Sequence, residues 1–167
     1  NAISSNFDLS KIQLLINNAG LFKNSLLQNT SVEDWDEQIN VNLRGSFLMT
    51  KSVVPKMIEN KSGKIVFINS TAGKYPFKSS SAYCASKFGL RGFASALREE
   101  LREHNIKVIS IFPGAVSTPI WDGSGLNLPR LEMMSADNVS KVISNAIDAP
   151  GNCTVEEVDI NRVQGNF

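Results

Sequence analysis

Three short apolar runs, separated by long segments of helical periodicity, constrain the fold of this chain more than any other feature. The runs read IQLLI (12–16), KIVFIN (64–69) and IKVISIF (106–112). Each would place apolar residues on both faces of a strand, which is typical of a parallel sheet covered by helices on both sides. The sequence therefore predicts an α/β fold with a three-layer, doubly wound parallel sheet.

The segments around these runs predict the other elements. We expect one long helix from Ser31, its cap, to about Asn60, a second from near Ser79 to a left-handed end at Asn105, and a shorter third over Ser135–Ala149. A last strand is expected over Thr154–Ile160. The first helix should bury one stripe of apolar residues, namely Trp35, Ile39, Leu43, Phe47, Val54 and Ile58.

Composition excludes several classes of function. The 167 residues are 42% hydrophobic and have a formal net charge of +1, with no basic run that would suggest nucleic acid or an anionic membrane as a partner. No apolar run approaches the ~18 residues that span a bilayer, and no signal-peptide pattern opens the chain, so a cytoplasmic location is expected. Cys84, Cys153 and the single histidine, His104, form neither a metal-binding pattern nor a disulfide framework.

The predicted topology indicates where a ligand would bind. Right-handed crossovers place the carboxyl ends of parallel strands at one edge of the sheet, and ligands of such sheets bind there. The segments at those ends are Asn17–Gly20, Asn69–Ala72 and Pro113–Thr118.

Tyr83 and Lys87 lie four residues apart at the start of the second helix, so they share one face of it. A free tyrosine is a poor acid–base catalyst because its pKa is about 10, and a lysine cation one turn away favours the phenolate. Ser70 ends the preceding strand and could bond to the same substrate oxygen. Alone, this spacing is a weak signal, because many helices contain such a pair.

Taken together, five motifs resemble those of the short-chain dehydrogenase/reductase family. They are Asn-Asn-Ala-Gly (17–20), Asn42 in Val-Asn-Leu-Arg-Gly, Ser70 in Ile-Asn-Ser-Thr-Ala-Gly, Tyr83-Cys-Ala-Ser-Lys87, and Pro-Gly-Ala-Val-Ser-Thr (113–118). Their order and spacing match the family from about Leu9 to Ile160. The resemblance implies a Rossmann-like domain and NAD or NADP as cofactor.

The resemblance also implies roles for four catalytic residues. Tyr83 would be the acid–base catalyst, and Lys87 would lower its pKa and bind the nicotinamide ribose. Ser70 would anchor the substrate carbonyl. Asn42 would hold a water that relays protons from Lys87 to solvent, and an asparagine within a helix suits a local irregularity with a freed carbonyl.

Further residues are implied to bind the cofactor. The first motif would contact the adenosine half, and the last would close on the nicotinamide, with Val116 acting through its backbone. The implied cofactor-binding set is Asn17, Ala19, Gly20, Tyr83, Lys87, Pro113, Gly114, Val116 and Thr118.

The sequence departs from the family pattern at two places. Gln13 stands where the family usually has aspartate, and no glycine precedes Gly20, so the glycine-rich turn that cradles pyrophosphate is absent. We therefore expect residues 1–167 to be the carboxyl-side two-thirds of an NAD(P)-binding domain. On its own, this fragment should bind dinucleotide poorly and expose the strand edge at Ile12–Ile16.

The favoured function is NAD(P)-dependent transfer of hydride between the cofactor and an alcohol or carbonyl substrate. The alternative is a truncated, non-catalytic binding or assembly protein of the same fold. An epimerase or dehydratase of the extended branch is disfavoured, because that branch usually lacks Asn-Asn-Ala-Gly.

The substrate and the partners are less constrained. A pocket for a small or medium carbonyl compound is expected from Thr71–Phe77, Cys84 and Ser117–Met134, made apolar by Phe77, Ile120, Trp121, Leu126 and Leu128. A homodimer or homotetramer is expected through the two long helices. Gly89, Gly92 and Ala96 would permit their close approach.

Overall fold

The computed structural model describes residues 8–150 and 152–165. Strands and helices alternate along the chain. The strands are β1 (Leu14–Asn17), β2 (Gly63–Ile68), β3 (Ile106–Pro113) and β4 (Glu157–Ile160). The helices are α1 (Val32–Ile39), α2 (Ser46–Asn60), α3 (Ser81–Leu101) and α4 (Ala136–Ile147), and a π-helical segment, Asn40–Gly45, joins α1 to α2.

The four strands form one parallel sheet in the order β1-β2-β3-β4. Leu15 pairs with Ile65, Ile65 with Val108, and Ile111 with Val158. All four strands therefore end at the same edge, as the topology predicts.

Two apolar cores lie on opposite faces of the sheet. On one face, α2 and α3 pack against the strands through a cluster that includes Met57, Phe67 and Leu90. On the other face, α4 covers Val66, Ile109 and Ile111 with Ala146. The three-layer, doubly wound prediction is thus confirmed.

The predicted helix ends agree with the structure at three sites. The Ser31 side chain accepts the N–H of Asp34, and that of Ser135 accepts the N–H of Asn138. Asn105 is left-handed, with φ 57°, after a short 3-10 turn that follows α3. The first long helix also ends at Asn60, as predicted, where Lys61 takes the left-handed conformation (φ 47°) and Gly63 begins β2.

The buried stripe of the first long helix differs from the prediction. Trp35 and Phe47 are 37% and 41% exposed. Leu43, Val54 and Ile58 of the predicted stripe are partly buried and pack against the core. The fully buried positions as far as Thr50 form a polar stripe, defined here as Gln38, Asn42, Ser46 and Thr50. The fully buried apolar residues of α2 are Val53 and Met57.

Three members of the polar stripe bond to the end of β1 or to the segment that follows it, and Ser46 bonds to the main-chain oxygen of Asn42. Gln38 accepts the N–H of Lys23 at 3.1 Å, and Thr50 accepts the Asn17 carboxamide at 3.1 Å. Asn42 bonds to both main-chain groups of Leu21, over 2.8 and 3.0 Å. A buried helix face can carry polar residues when each finds a partner.

β1 lies at one edge of the sheet and begins two residues later than predicted. Its Leu14 and Ile16 side chains are 40% and 45% exposed.

Within the described residues, no helix combines the length and the apolar character needed to span a bilayer.

Candidate active site

The strand ends open into a cavity of about 640 Å³. It is lined by residues that follow β1, β2 and β3, by the start of α3, and by one side of α4. Ser70, Tyr83 and Lys87 all lie on its wall. The topology therefore brings together three of the four predicted catalytic side chains.

Tyr83 lies in the first turn of α3 and is partly accessible from the cavity. Burial raises the pKa of its phenol to about 12, and a hydrogen bond from the Ser70 hydroxyl acts in the opposite direction. Ser70 is held by the turn after β2, where its Oγ accepts the N–H of Ala72 at 3.1 Å. The phenol is thus protonated at neutral pH.

Lys87 is buried one helical turn beyond Tyr83, with 3% of its surface exposed. Its Nζ donates to the main-chain oxygen of Ile68 at 3.0 Å and lies 5.7 Å from the centroid of the Tyr83 ring. Burial lowers the pKa of the ammonium to about 8. Burial therefore disfavours the charged forms of both Tyr83 and Lys87.

Asn42 sits in the π-helical segment, so the predicted helix irregularity is present. Besides Leu21, its carboxamide nitrogen donates to Ser86 Oγ at 2.9 Å, and Ser86 in turn donates to the main-chain oxygen of Tyr83 at 2.7 Å. The main-chain oxygen of Asn42 accepts the Ser46 hydroxyl at 3.1 Å. Asn42 thus joins the segment after β1 to the helix turn of Tyr83.

Asn69 lies in a strand-end segment where a ligand is expected, but the sequence predicts no role for its side chain. It is 4% exposed, and its carboxamide accepts the N–H of Ser70 while donating to the main-chain oxygen of Lys87. A Cβ on Gly73 would come within 2.6 Å of the Asn69 Oδ1 and 2.9 Å of the Lys87 oxygen. Glycine is therefore required at position 73 by close packing.

The segment after β1 contributes differently from the prediction. Gly20 lines the cavity, where a Cβ would lie 3.8 Å from Lys87 Nζ. Asn17 instead turns inward to Thr50, and neither Asn17 nor Ala19 lines the cavity, whereas Asn18 does. Adjacent residues of an extended segment point in opposite directions, which explains why Asn17 and Asn18 differ.

The segment after β3 lies where it was expected. Pro113, Gly114, Val116 and Thr118 all line the cavity. The main-chain oxygen of Val116 accepts the indole N–H of Trp121 at 2.8 Å.

An apolar wall completes the cavity. All five side chains predicted to make it apolar contribute to its lining, namely Phe77, Ile120, Trp121, Leu126 and Leu128. Cys84 is buried in α3 and does not line it, so that expectation is wrong. Phe22 was not anticipated, yet it lines the cavity and contacts Tyr83 and Trp121 edge-on, with ring centroids 4.9 and 5.5 Å apart.

In the described part of the chain, no group of three or more histidine, cysteine, aspartate or glutamate residues is placed to hold a metal ion.

A family model and a related protein both match this chain over most of its length. The family model for short chain dehydrogenases matches residues 2–128. The sepiapterin reductase of Chlorobaculum tepidum is 36% identical over 156 residues, or 93% of this chain and 64% of that protein.

Solved structures agree with this match. The serine dehydrogenase of Escherichia coli superposes with a TM-score of 0.82 at 29% identity, over 94% of this chain and 66% of that one. A metagenomic short-chain oxidoreductase in complex with NADP gives a TM-score of 0.73 at 30% identity, over 89% and 60%. The chain thus spans about two thirds or less of each of these proteins.

Proposed function

The chain belongs to the short-chain dehydrogenase family, and we propose that the protein containing it is an NAD(P)-dependent oxidoreductase that interconverts an alcohol and a carbonyl compound. The observation that carries the proposal is the convergence of Ser70, Tyr83 and Lys87 on one cavity at the carboxyl ends of the strands. Three groups suited to proton transfer around one substrate oxygen have a clear chemical use there.

The proposed reaction is balanced by one hydride and one proton. A carbonyl compound, a reduced nicotinamide dinucleotide and a proton give the alcohol and the oxidised dinucleotide. When bound, the dinucleotide supplies or accepts the hydride, which carries both electrons. The protein's own side chains handle the proton on the substrate oxygen.

Several residues suit a nicotinamide nucleotide. Lys87 is a buried ammonium with three N–H groups, for which the described structure provides one acceptor, the Ile68 oxygen, so donors remain for ribose hydroxyls. Gly20 lies beside it without a side chain. Pro113, Gly114, Val116 and Thr118 would form the nicotinamide side. The NADP bound to the related metagenomic oxidoreductase supports this assignment.

Tyr83 is proposed to protonate the substrate oxygen during reduction. Its raised pKa keeps the proton available at neutral pH, and the Ser70 hydroxyl would hold the carbonyl beside it. In the direction of oxidation the phenolate is needed, and the Lys87 cation would stabilise it once a ligand fills the site. Asn42 remains the proposed holder of a relay water, which the π-helical segment supports.

The test is Tyr83→Phe in the complete protein, assayed by oxidation of NADH and NADPH with a carbonyl panel. The substitution keeps the ring but removes the proton, so turnover should fall by at least about 10²-fold with folding intact. A wild-type protein that binds neither dinucleotide would favour the non-catalytic alternative. Near-normal turnover by the variant would exclude Tyr83 as the acid.

We also propose assembly through the two long helices. Phe88 on α3 and Phe47 on α2 are 43% and 41% exposed, and Gly92 faces open space. Gly89 does not belong to this surface, since a Cβ there would lie 2.9 Å from the Leu43 side chain of the same chain. The proposed contact surface is therefore Phe88, Gly92 and Ala96 together with exposed apolar residues of α2.

A further inference from the structure

Phe22 and Trp121 form an aromatic wall beside the proposed acid. Phe22 meets Tyr83 at an interplanar angle of 71° and Trp121 at 70°, so the three rings form a continuous edge-to-face series. Both wall residues line the cavity. A substrate that presents its carbonyl oxygen to Tyr83 therefore places its neighbouring atoms next to these two rings.

The wall is held in place before any ligand binds. On either side of Phe22, Leu21 is bonded to Asn42 through both main-chain groups, and Lys23 N–H is bonded to Gln38. The Trp121 indole is fixed by its hydrogen bond to Val116. Rigid aromatic walls favour rigid, flat ligands, because neither partner then loses much conformational entropy on binding.

The charge around the cavity argues against an ionic substrate. In the described residues, no aspartate, glutamate or arginine lines it. Its two cations are Lys87, which the proposed chemistry uses, and Lys78, which is exposed. A buried anionic group would thus lack an enclosed partner, which is unfavourable.

We propose that the substrate is an uncharged ketone, or the matching secondary alcohol, whose reactive carbon belongs to or adjoins a flat ring system that packs against Phe22 and Trp121. This rests on the proposed oxidoreductase function. The cavity volume of about 640 Å³ is sufficient for a nicotinamide ring and a fused-ring substrate together.

The first test compares matched carbonyl compounds with the complete protein and its preferred dinucleotide. β-Tetralone and methyl octyl ketone have the same number of carbon atoms but differ in ring content. The methyl ester of para-acetylbenzoate and the free carboxylate differ in charge. We expect kcat/KM to favour β-tetralone and the ester by about tenfold each, the scale of one aromatic contact or one uncompensated charge.

The second test removes the wall. Trp121→Leu should lower kcat/KM for β-tetralone by about tenfold, mainly through KM, and change that for methyl octyl ketone by less than about twofold. Trp35→Phe is the matched control, because Trp35 lies on the exposed side of α1. It also leaves Trp121 as the single tryptophan of residues 1–167. With any tryptophan elsewhere in the complete protein also replaced by phenylalanine, quenching of Trp121 fluorescence by β-tetralone reports binding even if Trp121→Leu fails to fold.

The outcomes separate the two proposals. If no carbonyl compound in the panel is reduced, the oxidoreductase proposal fails and this one fails with it. If turnover occurs without preference for rings, or Trp121 fluorescence does not respond to β-tetralone, only the aromatic-wall proposal fails. Preference for the carboxylate that disappears in Lys78→Met would overturn it in favour of an anionic substrate.

Discussion

The carboxamide nitrogen of Asn69 donates to the main-chain oxygen of Lys87 over 3.2 Å. The same carboxamide accepts the N–H of Ser70 at 2.9 Å. One buried side chain therefore connects the strand end that carries Ser70 to the helix turn that carries Lys87. The position of Ser70 relative to α3, which carries both Tyr83 and Lys87, therefore depends on Asn69.

Asn69→Ala should remove the connection and leave a buried N–H without a partner. We expect a loss of about 1–3 kcal/mol in unfolding free energy. As a positioning residue, Asn69 should affect kcat by about tenfold or more while leaving KM for the dinucleotide nearly unchanged. Urea unfolding and steady-state kinetics measure both effects.

The matched control is Asn145→Ala, since Asn145 is exposed on α4. It should leave stability and kcat close to wild type. Equal losses of kcat and dinucleotide affinity in Asn69→Ala would point to general disruption of the site instead of a positioning role.

Gly73→Ala should disturb the same connection by crowding. The added methyl group would meet the Asn69 Oδ1 and the main-chain oxygen of Lys87, with contacts as short as 2.6 Å. Overpacking of this kind costs about 1–3 kcal/mol. In Gly92→Ala the added carbon meets nothing within 4 Å in its own chain, so within one protomer the substitution should instead stabilise α3 by up to about 1 kcal/mol. Thermal unfolding of the two variants provides the comparison, and a harmless Gly73→Ala would contradict the packing argument.

Lys87→Met should raise the unfolding free energy of the protein and lower its affinity for the dinucleotide. Because burial lowers the pKa of Lys87 from 10.5 to about 8, the folded chain releases a proton that the unfolded chain keeps between these two pH values. Stability should therefore rise with pH across this window, and the cost of burying the charge is fully present below about pH 8.

Methionine removes that cost, so Lys87→Met should be more stable than wild type at neutral pH by about 2 kcal/mol. The difference should shrink as the pH approaches 10.5. The variant should also lose dinucleotide affinity, because the ribose donor is gone. Urea unfolding at several pH values tests the predicted gain in stability, and calorimetric titration tests the predicted loss of dinucleotide affinity. A variant that is less stable than wild type at neutral pH would refute the stability prediction.

Phe88→Lys should weaken self-association if α3 forms the proposed interface. A charge placed in the centre of an apolar contact surface should move a micromolar sample from dimer or tetramer toward monomer in sedimentation velocity. Leu27→Lys is the control, because Leu27 is 72% exposed outside the long helices. A monomeric wild-type protein would contradict the assembly proposal outright.

Local signals account for what the sequence predicted well. The first three strands have apolar side chains on both faces. Ser31, Ser135 and Asn105 have side chains suited to the helix ends where they lie. The motif residues Ser70, Tyr83 and Lys87 reach one cavity because strand ends in a parallel sheet share an edge.

What the sequence failed to predict depends on long-range partners. The helical spacing of Trp35 predicts burial. The side of the helix that is buried instead bonds to a segment about fifteen residues away, as in the pairing of Gln38 with Lys23. The roles of Asn69 and Phe22 cannot be predicted from periodicity, because they depend on residues far along the chain. Asn69 donates a hydrogen bond to the main chain of Lys87, and Phe22 contacts the ring of Trp121. A motif also cannot say which of two adjacent asparagines turns inward, as with Asn17 and Asn18.

The polar stripe restricts insertions and deletions in the two segments that it joins. Its partners run in reverse order, so that Asn17, Leu21 and Lys23 meet Thr50, Asn42 and Gln38. From Asn17 to Leu21, four extended residues cover about 13 Å, and from Thr50 to Asn42, eight helical residues cover about 12 Å. One residue of the extended segment therefore spans the same length as two residues of the helix.

An inserted residue on the extended side would need two more on the helix to restore this match. Two extra residues would also rotate the rest of the helix by about 200°, which turns its bonding side chains away. A deletion on the extended side would likewise require the loss of two helical residues, which rotates the rest of the helix by the same angle in the opposite sense. The region from Asn17 to Lys23 is therefore a poor place for loop grafting, even though it has no regular secondary structure beyond the end of β1.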